Sequence, residues 1–145
     1  MARVDFAFGA PDRLRTACEV AHKHVKAGHV VLVYSRDADL LGRFDAQLWG
    51  LEPTAFIPHA YADDPLAAQA PVVMTTELPG LTPDRQNGAW LLNLDLDCPS
   101  DTGKFDRILE IVSTDESDIQ QARQRWKAYK SAGHDVHAHD LTQRR

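Results

Sequence analysis

A chain of 145 residues is the size of one ordinary domain, long enough to bury roughly two thirds of the surface that its unfolded form exposes. With 43% hydrophobic and 26% charged residues it carries the apolar material for a core, which a disordered chain lacks. A formal net charge of -5 and a pI near 5.7 exclude a protein whose whole surface grips phosphate backbones, so any anion site must be local.

Two cysteines, Cys18 and Cys98, neither in a C-x-x-C unit, fit a reducing cytoplasm without a disulfide. The basic start MARVDFAFGAPDR runs into no long apolar segment, and nowhere do about eighteen apolar residues follow one another, which argues against secretion and against a membrane span. A cytoplasmic location is expected, and residues 1–145 read as a single domain without linker or repeat.

In chain order, RVDFAF alternates, with Val4, Phe6 and Phe8 on one side, so it reads as a first strand ended by Gly9. From Pro11 onward Leu14, Ala17, Cys18, Ala21 and Val25 recur at helical spacing, with Gly28 suited to the C-terminal end. HVVLVY (29–34) is a β-branched run of the kind buried on both faces of a parallel sheet, and Ser35 is expected to cap the helix through Leu40, Leu41, Phe44 and Leu48. PVVMTT (71–76) and AWLLNL (89–94) repeat the buried-strand signature. FDRILEIV (105–112) is a further strand, or a short helix running into one. The acidic STDESD (113–118) supplies an N-cap and first-turn negative charge to a helix over 115–131, closed by Gly133. The tail HDVHAHDLTQRR alternates like an edge strand. The segments 50–70 and 77–88, rich in Pro, Gly, Asp and Asn, read as long loops. Buried strands alternating with covering helices predict a three-layer α/β/α sandwich with a mainly parallel sheet.

Such a sandwich invites a nucleotide, yet the motifs are missing. GAPDRL after the first strand has neither the glycine spacing of a dinucleotide loop nor the Lys-Ser/Thr ending of a P-loop, so the fold is nucleotide-binding-like without a phosphate loop, and no cofactor is expected. His22, His24, His134, His137 and His139 match no zinc spacing, and surface or capping histidines are the simpler reading; no metal is expected. There is no G-x-S-x-G elbow, and the carboxylates in DLDCPSD (95–101) read as solvated, so no catalytic residue is expected.

Two surfaces remain. Trp49, Phe56, Ile57 and Pro58 place large apolar residues at a helix end and in a turn-forming loop, where they either cap the domain's own core or form a patch for a partner protein. The second surface is ARQRWKAYKSAG (122–133). At about 100° per residue, Ile119, Ala122, Trp126 and Tyr129 form an apolar stripe, while Arg123, Lys127 and Lys130 cluster within about 60° along one flank and Arg125 falls on the other. Read by residue type alone, that flank is a solvated helix end, a site for an acidic peptide, or a platform for single-stranded DNA.

The segments LWGLEPTAFIPH and RQRWKAYKSAGHDV together resemble the chi subunit family of the bacterial DNA polymerase III holoenzyme, and chain length and strand-helix order agree with it from end to end. The resemblance implies a non-catalytic accessory subunit that binds the psi subunit of the clamp loader on one surface and the acidic C-terminal tail of single-stranded DNA-binding protein on another, reaching DNA through the assembly. It assigns Trp49, Phe56, Ile57 and Pro58 to the psi side, and Val112, Arg123, Trp126, Lys127 and Lys130 to the tail side. Trp126 stands where the family usually carries tyrosine. The alternatives are a module that binds single-stranded DNA directly through the basic helix and a diverged α/β nucleotide-binding enzyme.

Overall fold

The computed structural model describes residues 2–51, 57–78, 80, 81, 85, 88–99 and 105–143. Seven strands form one sheet: β1 (Arg3–Ala10), β2 (Val31–Tyr34), β3 (His59–Tyr61), β4 (Val72–Thr75), β5 (Trp90–Asn93), β6 (Arg107–Ser113) and β7 (Asp135–Asp140). Their spatial order is β3-β4-β2-β5-β6-β1-β7, and every pairing is parallel. Helices α1 (Arg13–Lys26) and α2 (Ala38–Trp49) cover one face, and α3 (Glu116–Ser131) lies on the other, which makes the predicted three-layer α/β/α sandwich.

The central strands carry continuous apolar runs because both of their faces are buried. Val31, Val33, Leu92 and Ile111 pack against Ala17, Cys18 and Ala21 of α1 and against Leu41, Phe44 and Leu48 of α2. Val4, Phe6, Leu32, Leu91 and Ile108 project the other way, toward Ala122 and Tyr129 of α3. The segment FDRILEIV yields strand β6 rather than a helix. Among the described residues no helix is long and apolar enough to cross a membrane.

Three local expectations are corrected. Ser35 does not cap α2: Asp37 does, accepting from the backbone N–H groups of Asp39 and Leu40, while Ser35 Oγ accepts from Asp37 N. Likewise α1 begins at Arg13 with Asp12 as its N-cap, leaving Pro11 outside the helix. Within 50–70, expected to be loop throughout, the chain forms edge strand β3 and a 3-10 turn at Pro65–Ala68 capped by Asp64. A three-residue strand is too short for alternation to reveal it.

α3 begins as its acidic lead-in predicts. Asp115 accepts from Ser117 N, and the Asp118 carboxylate accepts from Ser113 N at 2.7 Å, tying the end of β6 to the first helical turn. At its far end Gly133 takes φ +88, a conformation that a side chain resists, and turns the chain into β7 at the sheet edge.

A groove between the last strands and helix α3

Parallel register brings distant segments side by side. Phe8 of β1 lies opposite Val112 of β6, and Phe6 of β1 opposite Ala138 of β7, all facing the α3 side. α3 leans over this row without filling it. Between helix and strand ends runs a groove of about 320 Å³ whose floor is Phe6, Phe8, Val112 and Ala138 and whose helical wall is Ile119, Ala122, Arg123 and Trp126. Gly9 lines its strand end at φ +86, where an added Cβ would stand 2.7 Å from Thr142 Cγ2. Phe8 is left 40% exposed, a large apolar side chain with no covering element.

Trp126 is held in place by its neighbours. Its ring lies 5.1 Å from that of Phe6 in a tilted arrangement, and Lys130 Nζ sits 5.7 Å from its centroid as a cation–π partner. Arg123 lines the groove, whereas Lys127 is exposed one turn further along, outside the lining. No ion pair engages Arg123 or Lys127 among the described residues. An almost wholly apolar slot edged by unpaired cations is suited to a ligand with an apolar group and a negative charge.

The fourth basic residue of the stretch behaves differently from expectation. Arg125, read as surface on the opposite flank, is 1% exposed and points into the protein. It donates from Nε to Glu110 Oε1 at 2.9 Å and from Nη1 to the Leu96 carbonyl at 3.0 Å. Glu110 is fully buried and also accepts from Tyr129 Oη at 2.7 Å and Asn93 Nδ2 at 2.8 Å. Burial and the adjacent Glu110 carboxylate push the Tyr129 phenol far above its usual range, so it donates at any physiological pH.

The other expected surface divides. Trp49, at the end of α2, is 55% exposed, and its ring lies 4.7 Å from that of His59 on β3. His59 Nε2 approaches Asp45 Oδ1 at 2.7 Å, so the last turn of α2 holds the edge strand. Pro58 faces outward. Ile57, expected in the exposed patch, is 5% exposed and packs with Phe44 and Leu48 in the core cluster. Phe56 lies outside the described residues.

The crevice where the strand order reverses, between β2 and β5, is the usual nucleotide position of such sheets. Here it holds carboxylates. Asp95 accepts from Arg36 N and Arg36 Nε, both at 2.9 Å, and Asp97 accepts from the same guanidinium at 2.5 Å. Phosphate brought there would meet two acids with their cation already engaged. Most of the histidines have partners as well. His139 pairs with Asp5 and His137 with Asp135, His134 accepts from Ala2 N, and His24 and His29 lie against Trp90. Among the described residues no three His, Cys, Asp or Glu side chains gather as a metal site. Burial would raise the Asp5 carboxyl, but hydrogen bonds from His139, Arg107 and Arg3 outweigh it and hold its pKa below the usual value.

Comparison with known proteins matches nearly the whole chain. The family model described as "DNA polymerase III chi subunit, HolC" matches residues 1–137. The chain is 32% identical to the DNA polymerase III subunit chi of Pseudomonas aeruginosa over 97% of its own length and 98% of the relative's. It is 28% identical to the Escherichia coli protein of the same name, covering 80% of this chain and 77% of that one. Similarity to the Haemophilus influenzae protein, also named subunit chi, is 27% over 81% and 79% of the two chains.

Proposed function

Because the chain belongs to the DNA polymerase III chi subunit family, we propose that it is a non-catalytic cytoplasmic adaptor of that polymerase, linking the clamp loader through the psi subunit to the acidic C-terminal tail of single-stranded DNA-binding protein. The observation that carries the tail half is the groove: apolar floor of Phe8, Val112 and Ala138, aromatic wall of Trp126, and unpaired Arg123 on its rim. An acidic peptide ending in an aromatic residue matches each part. The ring enters the slot, Arg123 offers its fork to the terminal carboxylate, and Lys127 and Lys130 meet upstream acids along the helix. The overall negative charge is no obstacle, because attraction within a Debye length of about 8 Å follows local charge.

The psi subunit is assigned to the opposite edge, where Trp49 and Pro58 face outward beside β3; Phe56 is proposed with them on the family resemblance alone. β3 and β1 are five strands apart in the sheet, roughly 24 Å at about 4.8 Å per strand. Two partners can therefore be held together without touching, and the coupling raises the effective concentration of the polymerase at coated template.

Direct single-strand binding is the weaker reading, because one side of the Trp126 ring meets Phe6 and Lys130 sits over it, leaving little face for a base to stack on. The test is titration of a fluorescent peptide, acidic with a C-terminal aromatic residue, against wild type, Arg123→Ala and Lys127→Ala. Each substitution should weaken binding by about 1–3 kcal/mol, as a lost charge-assisted contact does. Amidating the peptide's C-terminus should weaken it likewise, and affinity should fall as salt rises. If both variants bind the peptide as wild type does while single-stranded DNA binding collapses, the direct nucleic-acid reading replaces this one.

A further inference from the structure

We infer that the buried Glu110–Arg125–Tyr129–Asn93 network is a positioning device for the groove: it fixes the rotation of α3 about its own axis, and with it where Arg123 and Trp126 stand. The inference rests on the groove's proposed role as a peptide site.

The placement follows from the sheet. Asn93, Glu110, Phe6 and Ala138 occupy one row across β5, β6, β1 and β7, all on the α3 side. The row therefore sets a polar anchor, Glu110, directly beside the aromatic floor, Phe6. α3 reads both at once. Arg125 and Tyr129, one turn apart, meet the two oxygens of Glu110, while the Phe6 ring touches both Trp126 at 5.1 Å and Tyr129 at 5.9 Å.

An apolar contact tolerates a helix that rolls by tens of degrees, since one methyl replaces another at little cost. Hydrogen bonds to a buried carboxylate do not, because a roll leaves a charge unpaired in a low dielectric. With Arg125 and Tyr129 pinned, helical geometry of about 100° per residue puts Trp126 about 100° and Arg123 about 160° around the axis from Arg125. Those are the directions of the groove and its rim. A third tether, Arg125 Nη1 to the Leu96 carbonyl, fixes the helix along the strand ends as well.

The network is also a costly way to hold a helix, since a buried ion pair is often matched in stability by well-packed apolar residues. That makes orientation separable from stability by experiment. The double variant Glu110→Leu with Arg125→Met keeps the interior filled, and Tyr129→Phe removes a single oxygen. Both are made in the full chain and compared with wild type by thermal melting, by titration with the acidic aromatic-terminated peptide, and by nuclear Overhauser contacts between the Phe6 and Trp126 rings. The double variant leaves the Tyr129 hydroxyl and Asn93 Nδ2 without Glu110 and is expected to melt cooperatively below the wild-type temperature but well above that of the binding assay, yet bind the peptide at least about fivefold more weakly, the lower range of coupling between sites. Its Phe6–Trp126 contacts should be averaged or lost. Tyr129→Phe should move affinity in the same direction by a smaller factor, and it decides the matter if the double variant does not fold. If the folded variants bind within twofold of wild type and keep the ring contacts, the network serves stability alone and the inference falls. If wild type itself binds no peptide, the proposed function fails, and positioning is judged on the ring contacts: their loss in the variants supports it and their survival overturns it.

Discussion

Trp126→Ala separates the groove wall from the hydrophobic core. A fully buried tryptophan cut to alanine costs about 3–5 kcal/mol. Trp126 is only partly buried, packed against the cluster rather than enclosed by it, so about half of that is expected, ~2 kcal/mol. The tilted pair with Phe6 accounts for about 1 kcal/mol and the cation–π contact from Lys130 for about 0.5 kcal/mol of that loss. For a domain of this size the melting temperature should drop by about 6 °C, well short of unfolding at room temperature. Peptide affinity should fall further in proportion, by about 2 kcal/mol or roughly thirtyfold, because the ring is the slot's largest wall. Scanning calorimetry and fluorescence anisotropy on the same preparation give both numbers, and Trp126→Tyr should recover most of each. A melting drop of more than about 12 °C with unchanged affinity would make Trp126 a core residue, and the groove would then have no aromatic wall.

At the other edge, Ile57→Ala should cost about 2–4 kcal/mol by denaturant titration, because the side chain is enclosed. Trp49→Ala should cost under about 1 kcal/mol while abolishing co-purification with the psi subunit; the reverse pattern would place the partner elsewhere. Asp37→Ala should remove about 1 kcal/mol of stability through loss of the α2 cap, which a chemical melt resolves. Burial, helped by Lys23 and His29, pushes the His24 imidazole down to about 4, whereas an unfolded chain takes up this proton near 6.5. The stability this provides is therefore complete above pH 6.5 and lost as pH falls toward 4. After allowance for the ring's partial solvation the loss is about 1–2 kcal/mol, and His24→Gln should flatten the pH profile of the melting temperature over that interval.

The fold is legible in the sequence where burial on both faces leaves an unmistakable mark. Runs such as VLV in β2 and VVM in β4 have no polar position because neither side of a central parallel strand meets water. β3 leaves no such mark, because its three residues, His59 to Tyr61, form an edge strand flanked by turn-forming residues. Ser35 and Asp37 are both good caps for α2, and only the path of the chain after β2 decides between them. At the groove, Val112, Arg123 and Trp126 line one slot. Phe8, Gly9 and Ala138 join its lining without a warning in local pattern, because their proximity depends on β1 sitting between β6 and β7, an order that helical and strand periodicities do not encode. The alternation of Val4, Phe6 and Phe8 is nonetheless a signal, for an alternating strand that ends in a large ring has to place that ring on something.

Arg125 shows most clearly what local pattern leaves out. A helical wheel sorts residues by angle, and arginine at the boundary of an apolar stripe is ordinarily solvated. The information that turns it inward lies fifteen residues upstream, in ILEIV, where Glu110 interrupts an otherwise apolar strand. A carboxylate at the centre of such a run cannot be left bare, since burying it unpaired costs several kcal/mol, so it requires a cation from whichever element covers the strand. Asn93 breaks WLLNL in the same way, and parallel register sets it beside Glu110. α3 offers four basic residues within eight positions, and of these only Arg125 lies close enough in angle to Tyr129 to share the inward face. Polar residues that interrupt buried strands therefore mark, within the sequence itself, which charge of a surface helix belongs to the interior.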